Sequence, residues 1–321
     1  MLYFKGNYNS SIYLNFDLNS GKMPLFENLK SINQKLLKLD GFEITIKRED
    51  LLHSTVSGNK MRKLKYNLEQ AKKEGHQTLL TFGGAFSNHL AATAATGKIM
   101  DFKTIGVIRG QEKLQNPTLQ FCKDKGMILF PVSRLIYRKK DTNDFHGTLK
   151  NKFGKFYSLP EGGTNLNAVR GCTEILDKSD EEYDVICCSV GTGGTMSGLI
   201  ESSLPNQIVL GFAALLNKEL DQQIMKFTVK KNWDINYNYV FGGYAKVSLK
   251  LIEFINDFKK KFKTPLDPVY TGKVLFGIFD LIKKKQWNWG KRILIIHTGG
   301  LQGISGMNQM LSKKKWPVIE V

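Results

Sequence analysis

Asp184-Val185-Ile186-Cys187-Cys188-Ser189-Val190-Gly191-Thr192-Gly193-Gly194-Thr195 is the stretch that decides the fold class. Asp184–Val190 is strongly apolar, which is how a strand buried on both faces reads. The glycines behind it end the strand, and a helix is expected to open near Gly194. Strand, glycine turn, helix is the joint of a parallel α/β sheet. The same joint recurs where Thr78–Phe82 runs into Gly83-Gly84-Ala85-Phe86-Ser87-Asn88-His89 and an Ala-rich helix over Ser87–Gly97. It recurs again where Arg292–His297 stops at Thr298-Gly299-Gly300.

Outward from these joints the pattern alternates. Phe42–Lys47, Lys103–Ile108, Met127–Val132, Lys155–Leu159 and Gln207–Phe212 read as strands. Helices are expected from the Lys60 turn to about Gly75, over Asn116–Lys125 and Asn165–Asp177, and near 217–227, 244–261 and 271–285. Pro24–Leu39 reads as a short amphipathic segment, and Arg134–Asp144 as a basic irregular one. The expected fold is α/β and two-lobed: parallel sheets covered by helices, right-handed crossovers, and a ligand cleft at the carboxyl ends of strands. The larger lobe is placed at residues 1–63 with 156–321, and the smaller at 64–155. No fixed-period repeat or low-complexity linker is present.

A chain of 321 residues with 41% hydrophobic and 24% charged residues is ordinary globular composition. No apolar run approaches the ~20 residues that span a bilayer. The first fifteen residues lack the apolar core and small-residue cleavage site of a secretion signal. Four cysteines, none in a CxxC pair, are no disulfide framework, so a cytoplasmic setting is expected. No metal site is expected. The net charge of +18 raises nucleic acid as a partner. Against it, arginine stands only at 48, 62, 109, 134, 138, 170 and 292, and the lysine triplets 259–261, 283–285 and 313–315 lie far apart at apparent helix ends. Lysine there is favoured by the helix dipole.

Three kinds of chemistry are written at the joints. Ser57-Gly58-Asn59-Lys60-Met61-Arg62-Lys63-Leu64 puts a lysine at a loop-to-helix corner. Such a lysine can be a solvated helix start, or it can face a cleft, lose its proton by desolvation and form a Schiff base with an aldehyde. Gly191–Thr195 is either a tight turn or a compact cup for a single phosphate, built from free N–H groups, two threonine hydroxyls and a helix dipole. Its spacing fits neither a dinucleotide nor an ATP loop. Ser87 and Asn88 are good N-cap residues that can also face a ligand, and His89 reads as a packed or capping histidine. Tyr270, in Asp267-Pro268-Val269-Tyr270-Thr271-Gly272-Lys273, would ordinarily pack.

Together these motifs are a resemblance. SGNKMRKL (57–64), GGAFSNH (83–89), PEGG (160–163), GTGGT (191–195), LDPVYTGK (266–273 with Leu266 first) and HTGG (297–300) occur in this order. The chain thereby resembles the 1-aminocyclopropane-1-carboxylate (ACC) deaminase and D-cysteine desulfhydrase family, pyridoxal-phosphate (PLP) enzymes of fold type II built like the tryptophan synthase β subunit. The resemblance spans about Phe42 to Gly300. It implies that Lys60 holds pyridoxal 5'-phosphate, that Gly191, Thr192, Gly193, Gly194 and Thr195 hold its phosphate, that Asn88 meets the ring hydroxyl oxygen, and that Thr298 faces the ring nitrogen. Ser87, Tyr244 and Tyr270 would act beside a small amino-acid substrate, with Phe86 and Thr271 in the same pocket. A homodimer is implied.

Within that family the ACC deaminases carry glutamate after the second tyrosine and leucine at the HTGG position; this chain has Thr271 and Thr298. A neutral hydroxyl at the ring nitrogen makes a weaker electron sink, which suffices when sulfide leaves. The resemblance therefore implies D-cysteine desulfhydrase first and ACC deaminase second. Phe86 departs from the glutamine usual before Ser87, so another β-elimination substrate such as D-serine also fits. Two further readings are a basic nucleic-acid module and a catalytically silent PLP-binding paralogue.

Overall fold

A computed structural model describes residues 23–111, 116–217 and 219–321. The segment examined for a secretion signal lies outside them. Ten strands and eleven α-helices are described: β1 Asn33–Leu39, β2 Phe42–Lys47, α1 Asn59–Lys73, β3 Thr78–Gly83, α2 Asn88–Met100, β4 Lys103–Arg109, α3 Pro117–Asp124, β5 Ile128–Val132, α4 Arg134–Tyr137, α5 Asn143–Phe153 and β6 Tyr157–Leu159. Then follow α6 Leu166–Thr173, β7 Val185–Val190, α7 Gly194–Ser202, β8 Ile208–Ala213, α8 Leu220–Met225, β9 Trp233–Asn236, α9 Leu249–Phe262, α10 Thr271–Lys283, β10 Arg292–Ile296 and α11 Ile304–Lys313.

The strands form two sheets. One has the order β1-β2-β10-β7-β8-β9, parallel except for the antiparallel edge strand β1; the other, β5-β4-β3-β6, is parallel throughout. Burial on both faces explains the apolar strands. Ile44, Ile46, Val185, Cys187, Ile293 and Ile295 pack towards α9, α10 and α11, while the alternate residues Ile186, Cys188, Leu294 and Ile296 pack towards α6, α7 and α8. In the smaller sheet Leu79 meets Leu64 and Leu68 of α1, and Leu80 and Phe82 meet Phe145 and Leu149 of α5. All four cysteines are buried free thiols. The lysine triplets fall at the ends of α9, α10 and α11, where the dipole favours them. No described helix is long and apolar enough to cross a membrane.

Three expectations change. Pro24–Leu39 holds a 3-10 turn and then strand β1, which owes its identity to pairing with β2 rather than to its own pattern. Arg134–Asp144 is not irregular throughout: Ser133 caps the short helix α4, and Thr142 caps α5. Tyr157–Leu159, assigned to the larger lobe from 156 onward, pairs with β3 in the smaller sheet.

Candidate active site

Lys60 sits in the first turn of α1, and the chain is tightly held just before it. Gly58 adopts φ +66°, a region that favours glycine, and a Cβ there would lie 2.0 Å from the Thr298 carbonyl oxygen. The Gly58 N–H donates to the Glu49 carbonyl (3.1 Å) and the Asn59 N–H to the Thr298 carbonyl (3.3 Å). One half-turn on, Arg62 forks onto the Glu49 carboxylate at 2.9 and 2.8 Å, both side chains buried. Lys60 thus projects into a cavity of about 520 Å³, counted with its mouth, whose lining includes Lys63, Asn88, Thr192, Tyr270 and Thr298. Lys63 Nζ is occupied, donating to the Gly162 carbonyl and Thr164 Oγ at 3.0 Å each. No protein hydrogen bond reaches Lys60 Nζ among the described residues.

Removal from water pushes the Lys60 amine well below the usual lysine range, and the neighbouring Lys63 ammonium adds to the effect. The linkage sign follows. Between the lowered folded value and the ordinary value near 10.5 the unfolded chain holds the extra proton, so stability rises with pH across that window. Lys63 and Lys273, the latter held down to about 8 by burial, act in the same sense. The urea midpoint of the cofactor-free protein is therefore expected to rise with pH more steeply in wild type than in Lys60→Met between about pH 7 and 8, below the range where the buried thiols begin to act in the opposite sense.

Opposite Lys60, β7 ends in the glycine loop. Gly193, at φ +81°, is the N-cap of α7 and offers no side chain to the helix N–H groups. No protein acceptor is found for the N–H groups of residues 191–195 among the described residues. Asn59 Nδ2 donates to Thr195 Oγ1 at 2.8 Å, tying the lysine turn to the loop, and Thr192 Oγ1 lies 2.5 Å from Thr164 Oγ1. Thr298, at the carboxyl end of β10, hydrogen-bonds Ser189 Oγ at 3.2 Å on the same cavity wall. A half-buried amine that gives up its proton more readily than usual, an open cup of N–H groups and a nearby hydroxyl fit an aldehyde that bears one phosphate.

The inner cavity opens into an outer chamber that shares Asn88, Gly162, Gly191, Thr192 and Tyr270 with it. Ser87 caps α2, accepting from the Leu90 N–H at 3.3 Å, and lines the chamber beside Phe86. The Phe86 ring lies against α11, where a Cβ on Gly306 would come within 2.6 Å of it. Tyr244 and Tyr270 meet edge-on with centroids 6.2 Å apart and hydroxyls at 3.5 Å. Burial raises both phenols, Tyr270 well above the usual value, so both are neutral donors. Thr271 lines neither cavity: it is buried in the first turn of α10, and its N–H donates to Asp267 at 2.8 Å. His89 is packed, as expected, and lines neither cavity; burial above all holds its imidazole well below the usual range, so it is neutral.

Several anchoring residues escaped the sequence reading. Asp267 accepts from the N–H groups of Val269, Tyr270 and Thr271, which orients Tyr270; the Asp-Pro turn ahead of a helix was the available signal. Lys273 Nζ, buried, donates to the carbonyls of Val240 and Gly243 (2.9 Å each) and Ala214 (3.3 Å), holding the loop that carries Tyr244. Lys273→Met removes the one donor that ties these three carbonyls together, leaving Val240 and Gly243 only the local N–H groups of Gly243 and Lys246, and amide exchange over residues 240–245 is expected to quicken by roughly tenfold or more, read by mass spectrometry.

Comparison with known proteins agrees with this geometry. Residues 29–208 match the family described as pyridoxal-phosphate dependent enzyme. A Pyrococcus horikoshii protein provisionally named a 1-aminocyclopropane-1-carboxylate deaminase is 32% identical over 82% of this chain and 86% of its own. The mitochondrial bifunctional D-cysteine desulfhydrase/1-aminocyclopropane-1-carboxylate deaminase of Arabidopsis thaliana is 28% identical over 85% of this chain and 76% of its own. The crystal structure of an ACC deaminase homologue superposes with a TM-score of 0.74 at 27% identity, covering 91% of this chain and 99% of that one. The chain belongs to the pyridoxal-phosphate dependent enzymes of fold type II, in the family that holds the ACC deaminases and D-cysteine desulfhydrases.

Proposed function

We propose that the protein is a D-cysteine desulfhydrase, converting D-cysteine to pyruvate, sulfide and ammonia. The observation that carries this reading is the Lys60 amine, half-buried and held well below the usual lysine range by desolvation, facing across one cavity the N–H groups of the glycine loop, which have no protein acceptor among the described residues. When bound, the cofactor supplies an electron sink for charge developing at the substrate Cα. Lys60 would hold it, and its amine is the base placed to take the Cα proton. Residues 191–195 would bind the phosphate, with Asn88 toward the ring hydroxyl oxygen and Thr298 toward the ring nitrogen. Ser87 orients the substrate from the outer chamber, and Tyr270, neutral and braced by Tyr244, donates a proton to the leaving group.

Thr298 supports sulfide as the leaving group, because it puts a neutral hydroxyl where the ACC deaminases carry leucine, a weak partner for the sink that suffices when sulfide leaves. Thr271, turned away from both cavities, gives that choice no support. ACC deamination to 2-oxobutyrate and ammonia is the second reading, favoured by the names of the relatives that cover most of this chain. Assays for sulfide and for 2-oxobutyrate separate the two. D-cysteine is expected to yield sulfide at least about tenfold faster than ACC yields 2-oxobutyrate. Turnover of ACC alone overturns the desulfhydrase reading.

The same proposal includes a small-amino-acid substrate in a cytoplasmic homodimer, and a larger lobe around the six-stranded sheet with a smaller one around the four-stranded sheet. Nucleic acid is not a partner in it: the helix-end lysines account for much of the clustered charge, so steeply salt-dependent binding to DNA is not expected.

A further inference from the structure

The outer chamber, with a volume of about 590 Å³, has room for more than D-cysteine or ACC. Beyond Tyr244 its wall is largely apolar, built from Phe86, Ala245, Val269, Met307 and Met310. Among the described residues that line it, Arg109 is the only cation. Arg109 ends β4, where Ile108 pairs with Gly83, so it stands beside Gly84 at the carboxyl edge of the sheet. Arg109 is exposed; its Nη2 lies 3.6 Å from where a Gly84 Cβ would be, three residues before Ser87, and its guanidinium carbon lies 6.0 Å from the centre of the Tyr137 ring, which leaves its N–H donors without a carboxylate partner among the described residues. Two carboxylates share the chamber, and both have partners: Asp267 accepts three backbone N–H groups, and Glu161 lies 3.7 Å from Lys140 Nζ. No described carboxylate pairs with Arg109. A guanidinium left facing a substrate chamber is suited to a planar anion that arrives with the ligand.

We propose that Arg109 receives an anionic group at the far end of a longer substrate side chain, and that beside D-cysteine the site takes thioether amino acids, with a sulfur on Cβ and a short apolar arm ending in a carboxylate. This rests on the PLP-lyase reading of the site. In the reaction the Cα proton passes to a base, the Cβ–S bond breaks, and the electron pair leaves on sulfur, which is protonated to a thiol. The remaining three-carbon fragment takes up one water and yields pyruvate and ammonia, with no net oxidation or reduction. The Phe86 wall holds the arm, and Arg109 the carboxylate.

The test compares S-carboxymethylcysteine with its amide, S-carbamoylmethylcysteine, which has nearly the same shape without the charge, each as both enantiomers. Wild-type protein is expected to favour the acid by about tenfold or more in kcat/KM, mainly through KM. Arg109→Leu is expected to bring the ratio close to one, and Arg109→Lys to keep part of it. An equal ratio in wild type, or a ratio unmoved by Arg109→Leu, overturns the assignment. Calorimetry with 2-aminoadipate and its 6-amide, which have no leaving group, reads the same preference without turnover. Tighter binding of the acid with no elimination from any substrate contradicts the lyase reading and leaves Arg109's role standing; equal binding of acid and amide contradicts the role itself.

Discussion

Lys60→Ala is expected to give a folded protein with no visible cofactor band and turnover lowered at least about a thousandfold. The fold should survive because the Lys60 side chain makes no hydrogen bond among the described residues and stands partly open to the cavity, while the fork of Arg62 on Glu49 still anchors α1. Burial of an ammonium at that site is unfavourable, so the alanine variant should melt no lower than the cofactor-free wild type. Two groups on the chain could attempt to substitute. Lys63 is held by Gly162 and Thr164, and His89 lines neither cavity, so neither should restore activity. Absorbance, a melting curve and a pyruvate assay on the same preparation check all three statements.

Gly58→Ala should have the second-largest effect, although residue 58 touches no ligand. At φ +66° an alanine is strained, and its Cβ would lie 2.0 Å from Thr298 O, 2.4 Å from Thr298 C and 2.7 Å from Gly299 N. These are backbone atoms of the joint that presents Thr298, so relief requires the lysine turn and the β10 joint to part. The Asn59 N–H bond to Thr298 would be lost with that movement. A cost of about 2–4 kcal/mol in stability is expected. A misplacement near 1 Å is worth about a hundredfold in rate. Chemical denaturation and steady-state kinetics measure the two separately. A variant with wild-type stability and rate contradicts the close approach of these two segments.

The joints were legible because their signals are local. Val185–Val190 declares its burial by composition, and the glycines behind it mark the turn. The Lys60 turn, the Ser87 cap and the end of β10 read in the same way. Elements whose identity depends on a partner were not legible. Strand β9, Trp233–Asn236, is a short edge strand defined by its register with β8. Strand β1 reads in sequence only as part of a short amphipathic segment because Leu36 and Leu37 disturb its alternation, which the structure absorbs in a register shift between Lys35 and Leu37. Within the site, the residues expected to touch cofactor were found where turns expose them, whereas those that hold the turns were missed. Glu49 and Arg62 come together across thirteen residues, and Lys273 reaches back across the sheet to the Tyr244 loop. Thr271 misled for the converse reason: it follows Tyr270 in sequence, but the first turn of α10 rotates it into the core.

The account stands on Lys60 as the residue that carries the cofactor. Reducing the purified holoprotein with borohydride, which turns a carbon–nitrogen double bond into a stable single bond, and then mapping the peptides by mass spectrometry tests this most directly. The account predicts one phosphopyridoxyl group, on Lys60; its appearance on Lys63, Lys273 or another lysine, or on none while the cofactor is bound, would contradict it.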